Sequence, residues 1–265
     1  MDFCSIASSS SGNCLYVGSN QGHYLIDAGL SGKKIEAGLN QNGITTKEID
    51  GIFVTHEHID HIKGLGVLAR KYQIPIYATK GTVDGILATK SVGNIDRDLF
   101  VEIESDVPIS LKDMVFTPHR IWHDANEPVC YTVESGDKKI SIATDLGNYD
   151  SYLVDKLKDA DLLFIEANHD IRMLEVGPYP YKVKQRILSN FGHLSNERAG
   201  QFILELLNSH IQHIFLGHLS KENNMDELAY QAVKCELLEN PFTNQVEDFK
   251  LKVAKKENIS KFVTI

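Results

Sequence analysis

The six residues that follow Thr55 include four side chains that commonly bind metal ions: His56, His58, Asp60 and His61. Imidazole nitrogens and carboxylate oxygens are the usual protein ligands of zinc and related divalent ions. On an extended strand end, His56 and His58 would share one side because they are two residues apart. Asp60 and His61 need a turn to point elsewhere, so the spacing predicts a loop that holds two neighbouring ions.

The same segment has a simpler interpretation, because isolated histidines are mostly surface or satisfied core residues and a histidine-rich tract can bind metals loosely. The neighbouring sequence argues against it. An apolar run at residues 51–54 predicts a buried strand before the tract, and residues 62–66 open a helix after it. Ligands held between a strand and a helix favour a structured site.

The pattern His56-x-His58-x-Asp60-His61 resembles the H-x-H-x-D-H signature of the metallo-β-lactamase fold. The resemblance implies an α/β (α+β) protein built as an αββα sandwich. In that fold two mixed sheets face each other, helices flank them, and a dinuclear site lies at one edge of the sheets. Glu57 falls between the ligand positions, so the chain lacks the H-x-E-x-D-H variant of di-iron electron-transfer relatives. Hydrolysis is therefore favoured over redox chemistry.

Strands and helices are predicted along the whole chain from the period of its apolar residues and from its turn signals. Strands are predicted at residues 2–7, 15–17, 23–26, 52–54, 76–78, 114–116, 129–133, 140–143 and 162–165. Helices are predicted at residues 35–40, 64–72, 152–159, 196–207 and 225–238. The tail at residues 250–254 and 261–264 is interpreted as a closing hairpin. With 265 residues, 42% of them hydrophobic, and no repeat or linker, the chain is predicted to be a single domain spanning residues 1–265.

The formal net charge of -9 and the pI near 5.6 argue against a general nucleic-acid coat and against a protein that binds anionic membranes. They do not exclude a nuclease, because acidic residues can surround bound dications and a phosphodiester needs positive charge only locally. Residues 181–186 form one local basic patch, although a solvated helix face explains their composition equally well.

The four cysteines, Cys4, Cys14, Cys130 and Cys235, form neither a CxxC pair nor a dense framework. They predict reduced, inert thiols, with Cys4 and Cys14 left as an unsupported pair. No apolar stretch approaches the roughly 20 residues that span a bilayer, and the start of the chain lacks a basic region followed by an apolar one. We therefore expect a cytoplasmic protein without a membrane partner.

Further ligands are expected at strand ends, because each of two ions needs four or five donors, including one shared water. His119 and His123 compete for one position. The resemblance favours His123, which precedes a strand as the ligand does in related hydrolases, whereas His119 is interpreted as a loop residue. Asp145 and His218 each end an apolar strand, although a lone strand-end aspartate is usually a helix cap or turn former.

In the fold that the sequence resembles, these positions form two coordination spheres. The implied ligands are His56, His58 and His123 for the first ion, and Asp60, His61 and His218 for the second. Asp145 would bridge the two ions, and Asp27, at another strand end, would orient the ligand loop from behind. The two ions are expected to be zinc or manganese, and iron is also compatible, because availability often decides which metal such a site takes.

Two later segments, residues 162–170 and 191–196, resemble the acid and histidine motifs of phosphodiesterases of this fold, such as the transfer-RNA 3′-processing enzymes. The resemblance implies that Glu166 orients His193 as the general acid, while Asp60 orients the attacking water. An N-cap turn before the following helix is the structural alternative for His193. Asn168 and His169 are interpreted as phosphate contacts. The other three histidines, His23, His210 and His213, are interpreted as surface residues.

Four more segments extend the resemblance nearly from end to end: residues 8–13, 27–34, 177–180 and 217–224. Together with the motifs above, they are similar to one bacterial group, the YycJ (WalJ) metallohydrolases. Membership of that group implies a nuclease-like phosphodiesterase with 5′-to-3′ exonuclease action on DNA. Backbone amides of the first loop and nearby side chains would hold a terminal phosphate; the residues proposed for this role are Ser11, Gly12, Asn13 and Lys221. Two positions depart from the expected pattern, Cys130 and Ala167, and neither is an expected ligand.

Other functions stay open on the sequence alone. The same ions could hydrolyse RNA, a small phosphodiester, or a thioester or lactone, although a carbonyl substrate has no use for the pair of Glu166 and His193. A metal-stabilised regulatory binding module is the alternative without catalysis, and its signature would be a degraded ligand set, which this chain lacks. We expect a nucleic acid substrate, DNA in the first place, and no organic cofactor. The sequence leaves the oligomeric state open.

Overall fold

The computed structural model describes residues 1–239, 250–256, 259–260 and 262–265. In this part of the chain, two mixed sheets face each other and helices flank them, which confirms the predicted αββα sandwich. Most central strands are apolar on both faces because one face meets the opposite sheet and the other meets helices.

The first sheet has seven strands within the described residues. They are β1 (Asp2–Ala7), β2 (Cys14–Gly18), β3 (His23–Ile26), β4 (Gly51–Phe53), β5 (Ile76–Thr79), β6 (Phe100–Ile103) and β14 (Val263–Thr264). Their spatial order is β14-β1-β2-β3-β4-β5-β6. Neighbours from β14 to β3 are antiparallel, whereas neighbours from β3 to β6 are parallel.

The second sheet also has seven strands in the described ranges. They are β7 (Ile109–Leu111), β8 (Met114–Arg120), β9 (Val129–Ser135), β10 (Lys138–Ala143), β11 (Leu162–Glu166), β12 (His213–Gly217) and β13 (Lys250–Val253). They follow one another in space in this order, antiparallel from β7 to β10 and parallel from β10 to β13. The carboxyl ends of β10, β11 and β12 therefore meet at one edge of the sandwich.

Helices cover both outer faces. They are α1 (Gly32–Gln41), α2 (Ile59–Ile62), α3 (Leu65–Tyr72), α4 (Lys80–Ala88), α5 (Ser151–Leu157), α6 (Ile171–Val176), α7 (Tyr181–Ile187), α8 (Asn196–Leu206) and α9 (Asp226–Glu239). Apolar faces of α1, α3 and α4 pack on the first sheet, and those of α5, α8 and α9 pack on the second. Short 3-10 helices span Thr46–Glu48, Lys90–Val92 and Arg97–Leu99.

Aromatic side chains fill the space between the two sheets. Phe53 of the first sheet stacks on Phe116 of the second, with ring centroids 4.1 Å apart and planes 13° apart. Phe3 lies between Phe164 and Phe215 at 5.6 and 5.4 Å. Such rings bury large apolar areas, so this layer fixes how the two sheets face each other at the edge where their strands end.

The predicted closing hairpin at the tail is wrong. β13 adds to β12 in the second sheet, with His213 opposite Lys250, whereas β14 adds to β1 in the first sheet, with Asp2 opposite Thr264. The apolar pattern of a strand identifies the strand but not its partner, and each sheet had an open edge to accept one. Position 261 of the predicted hairpin lies outside the described residues.

Two histidines that were assigned to loops or the surface are buried instead. His119 lies in β8, which continues through Pro118 to Arg120, and its ring contacts Asp106 and the Thr132 hydroxyl at 2.9 and 3.0 Å. His213 begins β12, and neighbouring strands on both sides cover it. His23 is half-buried, against the prediction that it lies on the surface, and His210 is exposed as expected.

The sequence predicts neither β6, β7, α4 nor α6, whereas α7 agrees with the alternative interpretation of residues 181–186 as a solvated helix face. β6 and β7 are short strands with exposed positions, and α4 contains two glycines, so none carries a clear periodic signal. All four cysteines are free thiols, and no pair forms between Cys4 and Cys14. No helix among the described residues is both long enough and apolar enough to cross a bilayer.

Candidate metal centre

The polar side chains of the loop that follows β4 point in two directions. His56 is fully buried behind the strand, and His58 lies at the N-cap position of the four-residue helix α2. Asp60 and His61 belong to α2 itself, so the turn of this helix aims them away from the first two histidines. The predicted change of direction within the motif is therefore present in the backbone.

Three imidazoles from both sheets meet at one point. His58 Nδ1 lies 3.1 Å from His56 Nε2 and 3.2 Å from His123 Nε2. His123 donates its Nδ1 proton to the Gly192 carbonyl at 3.3 Å, which leaves a lone pair on the Nε2 atom that faces the cluster. Burial lowers the pKa of His56 well below its usual value and that of His123 to about 4. Neutral imidazoles with converging lone pairs suit a metal ion.

A second cluster lies beside the first and is more acidic. His61 Nε2 is 3.1 Å from Asp145 Oδ2 and 3.5 Å from Asp60 Oδ2, and His218 Nε2 is 3.2 Å from Asp145 Oδ1. The ligand atoms of these four residues all lie within 4.8 Å of one another. Asp145 Oδ1 is also 3.8 Å from His123 Nε2, so this carboxylate stands between the two clusters, as a bridging ligand would.

The charges of the second cluster fit a dication. Burial opposes a charge on His61, yet the carboxylates of Asp145, Asp27 and Asp60 raise its pKa well above the usual value. A proton on His61 thus balances part of the buried negative charge, a role that a divalent ion fills better because it binds nitrogen and oxygen lone pairs directly. Apart from its ion-pair contact with His61 Nε2, Asp145 Oδ2 is buried without a hydrogen-bond partner among the described residues. The donor set fits zinc, manganese or iron, and contains no thiolate.

Asp27 holds the ligand loop from behind. Its carboxylate accepts hydrogen bonds from the Thr55 amide at 2.8 Å, from the Thr55 hydroxyl at 2.9 Å and from His61 Nδ1 at 2.7 Å. The last bond fixes the His61 ring and directs Nε2 toward the second cluster. Close packing continues at Gly29, where a Cβ atom would lie 1.6 Å from the Asp60 carbonyl oxygen. The position of Asp27 agrees with the orienting role implied by the resemblance.

Three strand-end residues of the site have left-handed backbone conformations. Asp27, Asp145 and His218 have φ values of +63°, +58° and +54°. This conformation is unfavourable for residues with a Cβ atom, and it persists where the surrounding structure enforces it. Here it turns the chain sharply just after the strand, where the side chains of Asp27, Asp145 and His218 contact the ligand clusters. Asn168 supports one of these turns, since its Nδ2 donates to the His218 carbonyl at 3.0 Å.

Glu166 and His193 form a buried ion pair beside the clusters. Glu166, at the end of β11, accepts from His193 Nδ1 at 2.9 Å and also binds the amides of Asp145 and Leu194 at 3.0 and 2.7 Å. Burial opposes a charge on His193, but Glu166 and then Asp145 raise its pKa to about 9. About 12% of its side chain is exposed, so it can hold a proton that a substrate can reach. Ligand atoms of Asp145, Glu166, His193 and His218 also cluster within 4.8 Å.

The residues predicted to contact phosphate have different environments. His169 is buried, and neither of its ring nitrogens has a hydrogen-bond partner within the described chain. Burial, with the charge of His193, lowers its pKa to about 4. Lys221 is exposed on the loop between β12 and α9. These two side chains are free to take a ligand.

The loop before β2 is engaged with the protein itself. The amides of Ser11, Gly12 and Asn13 donate to the Ser9 hydroxyl, the Ser9 carbonyl and the Asp60 carbonyl at 3.2, 3.0 and 2.8 Å. The Asn13 side chain accepts from His218 Nδ1 at 3.2 Å and lies 3.0 Å from His61 Nε2. Phosphate binding by this loop stays a prediction, and it requires these groups to exchange partners.

Two residues that support the site were not assigned from the sequence. Thr55 joins Asp27 to the ligand loop, and its hydroxyl lies 3.0 Å from His56 Nδ1. Asn224 donates to the carbonyls of Ala167 and Asn168 at 2.9 and 3.0 Å and so fixes the end of β11. The position of Thr55 next to the motif and the Asn223-Asn224 doublet were the available signals, but neither indicates a partner without the fold.

If the clusters hold divalent metal, its chelation is expected to lower the thermal unfolding midpoint by about 5–10 °C, because a site built from residues of both sheets exists in the folded state alone. Scanning calorimetry with and without a chelator measures the change. The Asp145→Asn variant is the control, since removal of the carboxylate that lies between the two clusters should abolish the response. An equal response in both proteins would show that the chelator acts elsewhere.

The chain is similar to known proteins both in sequence and in fold. The family model described as Beta-lactamase superfamily domain matches residues 23–214. Exodeoxyribonuclease YycJ of Bacillus anthracis is 41% identical over 243 residues, which cover 91% of this chain and 91% of the relative. Exodeoxyribonuclease WalJ of Streptococcus pneumoniae serotype 2 (strain D39) is 39% identical over 232 residues, covering 88% of this chain and 86% of the relative.

Two solved structures are similar in fold over nearly the whole chain. The metallo-β-lactamase fold protein YhfI from Bacillus subtilis has a TM-score of 0.71 at 16% identity, covering 98% of both chains. Zinc-bound PqqB from Methylobacterium extorquens has a TM-score of 0.72 at 14% identity, covering 100% of both chains. At such low identity these structures establish the shared fold alone.

Proposed function

Since the chain belongs to the β-lactamase superfamily and, within it, to the family of the exodeoxyribonucleases YycJ and WalJ, we propose that it is a metal-dependent exonuclease that hydrolyses DNA in the 5′-to-3′ direction. One observation favours a phosphodiester over a thioester or lactone as the bond that is hydrolysed. The ion pair between Glu166 and His193 lies beside both ligand clusters and provides a proton for an alkoxide leaving group. A cytoplasmic location and one domain over residues 1–265 are part of the same proposal.

Seven side chains are proposed to hold two divalent ions, zinc or manganese. They are His56, His58 and His123 for the first ion, Asp60, His61 and His218 for the second, and Asp145 between them. When bound, the ions supply positive charge that acidifies an attacking water and neutralises charge on the phosphate oxygens. Neutral imidazole nitrogens and ionised carboxylates are the forms in which such side chains bind metal ions.

The protein's own groups then direct proton movement. Asp60 accepts a hydrogen bond from the attacking water and orients it toward phosphorus. His193, whose proton on Nε2 points away from the Nδ1 contact with Glu166, protonates the leaving oxygen. Glu166 keeps the imidazolium oriented because its remaining lone pairs are bound to two backbone amides. A free hydroxyl leaves on one fragment, and the phosphate stays on the other.

The unpartnered His169 is proposed to contact the terminal phosphate. Neither of its two buried ring nitrogens has a hydrogen-bond partner in the described part of the chain, and His193 lies nearby, which favours a ligand or ordered water there. Ser11, Gly12, Asn13 and Lys221 are proposed as further contacts of this phosphate, while Asn168 would act through the His218 carbonyl, to which its Nδ2 donates.

Cleavage of oligonucleotides labelled at their 3′ ends tests both bond and direction. With zinc or manganese, the protein should release nucleotides one at a time from the 5′ end of DNA, faster from 5′-phosphorylated than from 5′-hydroxyl strands. His58→Ala should lose this activity and exclude a contaminating nuclease. Matched RNA, bis(p-nitrophenyl) phosphate and a thioester identify the alternatives. Faster turnover of the thioester with no DNA cleavage would overturn the proposal, and cleavage from the 3′ end would overturn its direction.

A further inference from the structure

Two exposed aromatic side chains lie directly beside the proposed reaction centre. Trp122 is 39% exposed and Phe191 is 51% exposed, and their ring centroids are 5.7 Å apart with planes tilted by 32°. Trp122 precedes His123, and Phe191 lies two residues before His193. Large apolar rings that stay in contact with solvent at a site of chemistry are unusual unless a ligand covers them.

Neighbouring backbone holds these two rings in place. The His123 Nδ1 bond to the Gly192 carbonyl ties the two segments together, and the Gly147 amide donates to the Trp122 carbonyl at 3.0 Å. A Cβ atom at Gly147 would lie 2.4 Å from the Gly192 amide nitrogen, so the close approach of the segments requires glycine. The rings are therefore attached to the same rigid backbone as His123 and His193.

An open groove of about 370 Å³ runs along the aromatic pair. It is lined by Arg120, Ile121, Trp122, Asp150 and Phe191. Arg120 is itself held in place, with its guanidinium 4.4 Å from the centroid of the Tyr152 ring. The groove thus joins an aromatic wall to a fixed cation.

Basic residues occur on the segment that leads into this groove, whose own lining carries one cation, Arg120, and one carboxylate, Asp150. The helix α7, which leads into the Phe191 segment, carries Lys182, Lys184 and Arg186 and no acidic residue. Arg186 pairs with Asp124, whose carboxylate lies 3.6 Å from His123 Nε2, so this guanidinium stands at the mouth of the metal centre. Aromatic faces flanked by cations are the usual elements of a surface that binds an unpaired nucleic acid strand.

We propose that Trp122 and Phe191 form a stacking surface for an unpaired nucleobase of the substrate strand, adjacent to the scissile phosphate. The proposal rests on the proposed nuclease function and adds a preference for single-stranded ends. A base in a duplex is stacked on its neighbours and cannot offer its face to the groove, so a blunt end must open first. Every base has an aromatic face, so the surface tolerates any sequence.

Substrates that lack one base test the surface directly. Wild-type protein should cleave a strand with an abasic residue at the contacted position about tenfold more slowly, as expected for one lost stacking contact. Trp122→Ala should slow the normal strand by a similar factor and respond little to the abasic residue, because ring and base act as a pair. Trp122→Phe should recover most of the activity. Three substrates, abasic at the first, second or third nucleotide, locate the position.

The single tryptophan gives a second measurement that needs no cleavage. Trp122 is the only tryptophan of the chain, so its fluorescence reports this surface alone. A phosphorothioate oligothymidylate, which resists hydrolysis, should quench the emission of the metal-loaded protein, and the matched duplex should quench it less. Leu238→Ala is the control for loss of an exposed apolar side chain. Leu238 is 55% exposed, lies at the C-terminal end of α9 and does not line the groove.

The outcomes separate this proposal from the function on which it rests. Equal rates on normal and abasic strands, with no quenching, would overturn the stacking surface while cleavage of DNA still supported the function, and would point to a protein partner for the aromatic pair. Quenching without any cleavage would support the surface and contradict the function. Additive losses in Trp122→Ala and the abasic substrates would assign Trp122 a structural role and overturn the proposal.

Discussion

The Asp145→Asn variant is expected to lose most of its bound metal and at least about a thousandfold of its phosphodiesterase activity. Asp145 lies between the two clusters, with Oδ2 3.1 Å from His61 Nε2 and Oδ1 3.2 Å from His218 Nε2. An amide at this position offers one neutral oxygen where the cluster has two charged ones. Stabilisation of transition-state charge by the ions contributes several kcal/mol, and about 4 kcal/mol corresponds to about a thousandfold in rate.

Metal content by atomic emission, together with kcat/KM on DNA, measures both effects. Asp155→Asn is the matched control, because Asp155 is an exposed carboxylate on α5 that pairs only with Lys158 among the contacts described for it. It should retain full metal and full activity. A variant at position 145 with two ions per chain and activity within tenfold of wild type would remove Asp145 from the proposed centre.

The His193→Ala variant is expected to lower kcat on DNA by about 10²- to 10⁴-fold while the metal content stays at the wild-type value. The loss follows from the leaving group, because the alkoxide released from DNA needs a proton. A p-nitrophenyl ester of thymidine 5′-phosphate has a leaving group that needs none, so its hydrolysis should fall far less. Glu166→Gln should show the same dependence on leaving group with a smaller loss, because the amide still orients the ring but lacks the charge.

This experiment also separates two roles for His193. Its ligand atoms cluster with those of Asp145, Glu166 and His218 closely enough to hold an ion. If His193 were a ligand, His193→Ala would lose metal and both substrates would slow together. Equal loss on the two substrates at unchanged metal content would also contradict the general acid, since it would indicate damage to binding or folding instead.

The αββα sandwich could be predicted because the motifs that indicate it are short, continuous stretches of the sequence. The tract around His56 and His58 carries a distinctive spacing, and the strands that end at Asp145 and His218 are continuous apolar runs. The chain's likeness to a known group then assigned those residues to two clusters, and the structure brings them together in those clusters. Agreement at this level reflects motifs whose residues lie at strand ends, where side chains of one edge converge.

The remaining features depend on pairing, which the sequence does not encode locally. The tail strands were recognised but placed in one hairpin, whereas they belong to different sheets. His119 was assigned to a loop because Pro118 interrupts the pattern, yet β8 continues through that residue. The sequence does not indicate that the rings of Trp122 and Phe191 are exposed, because the exposure of an aromatic residue depends on how the neighbouring segments pack.

The contribution of both sheets to the proposed centre has a consequence for how the protein is made. Ligands of the first cluster come from the β4 loop and from His123, and the second cluster is complete only with His218. A chain emerging from the ribosome therefore exposes a histidine-rich loop long before it contains the last ligand. Pairing of β1 with β14 likewise joins residues 2–3 to residues 263–264, so this edge of the first sheet forms only after both segments have been made. Selective metal binding at the proposed centre therefore requires the chain through His218, and folding should be slow because the contacts that complete the centre are distant in the chain.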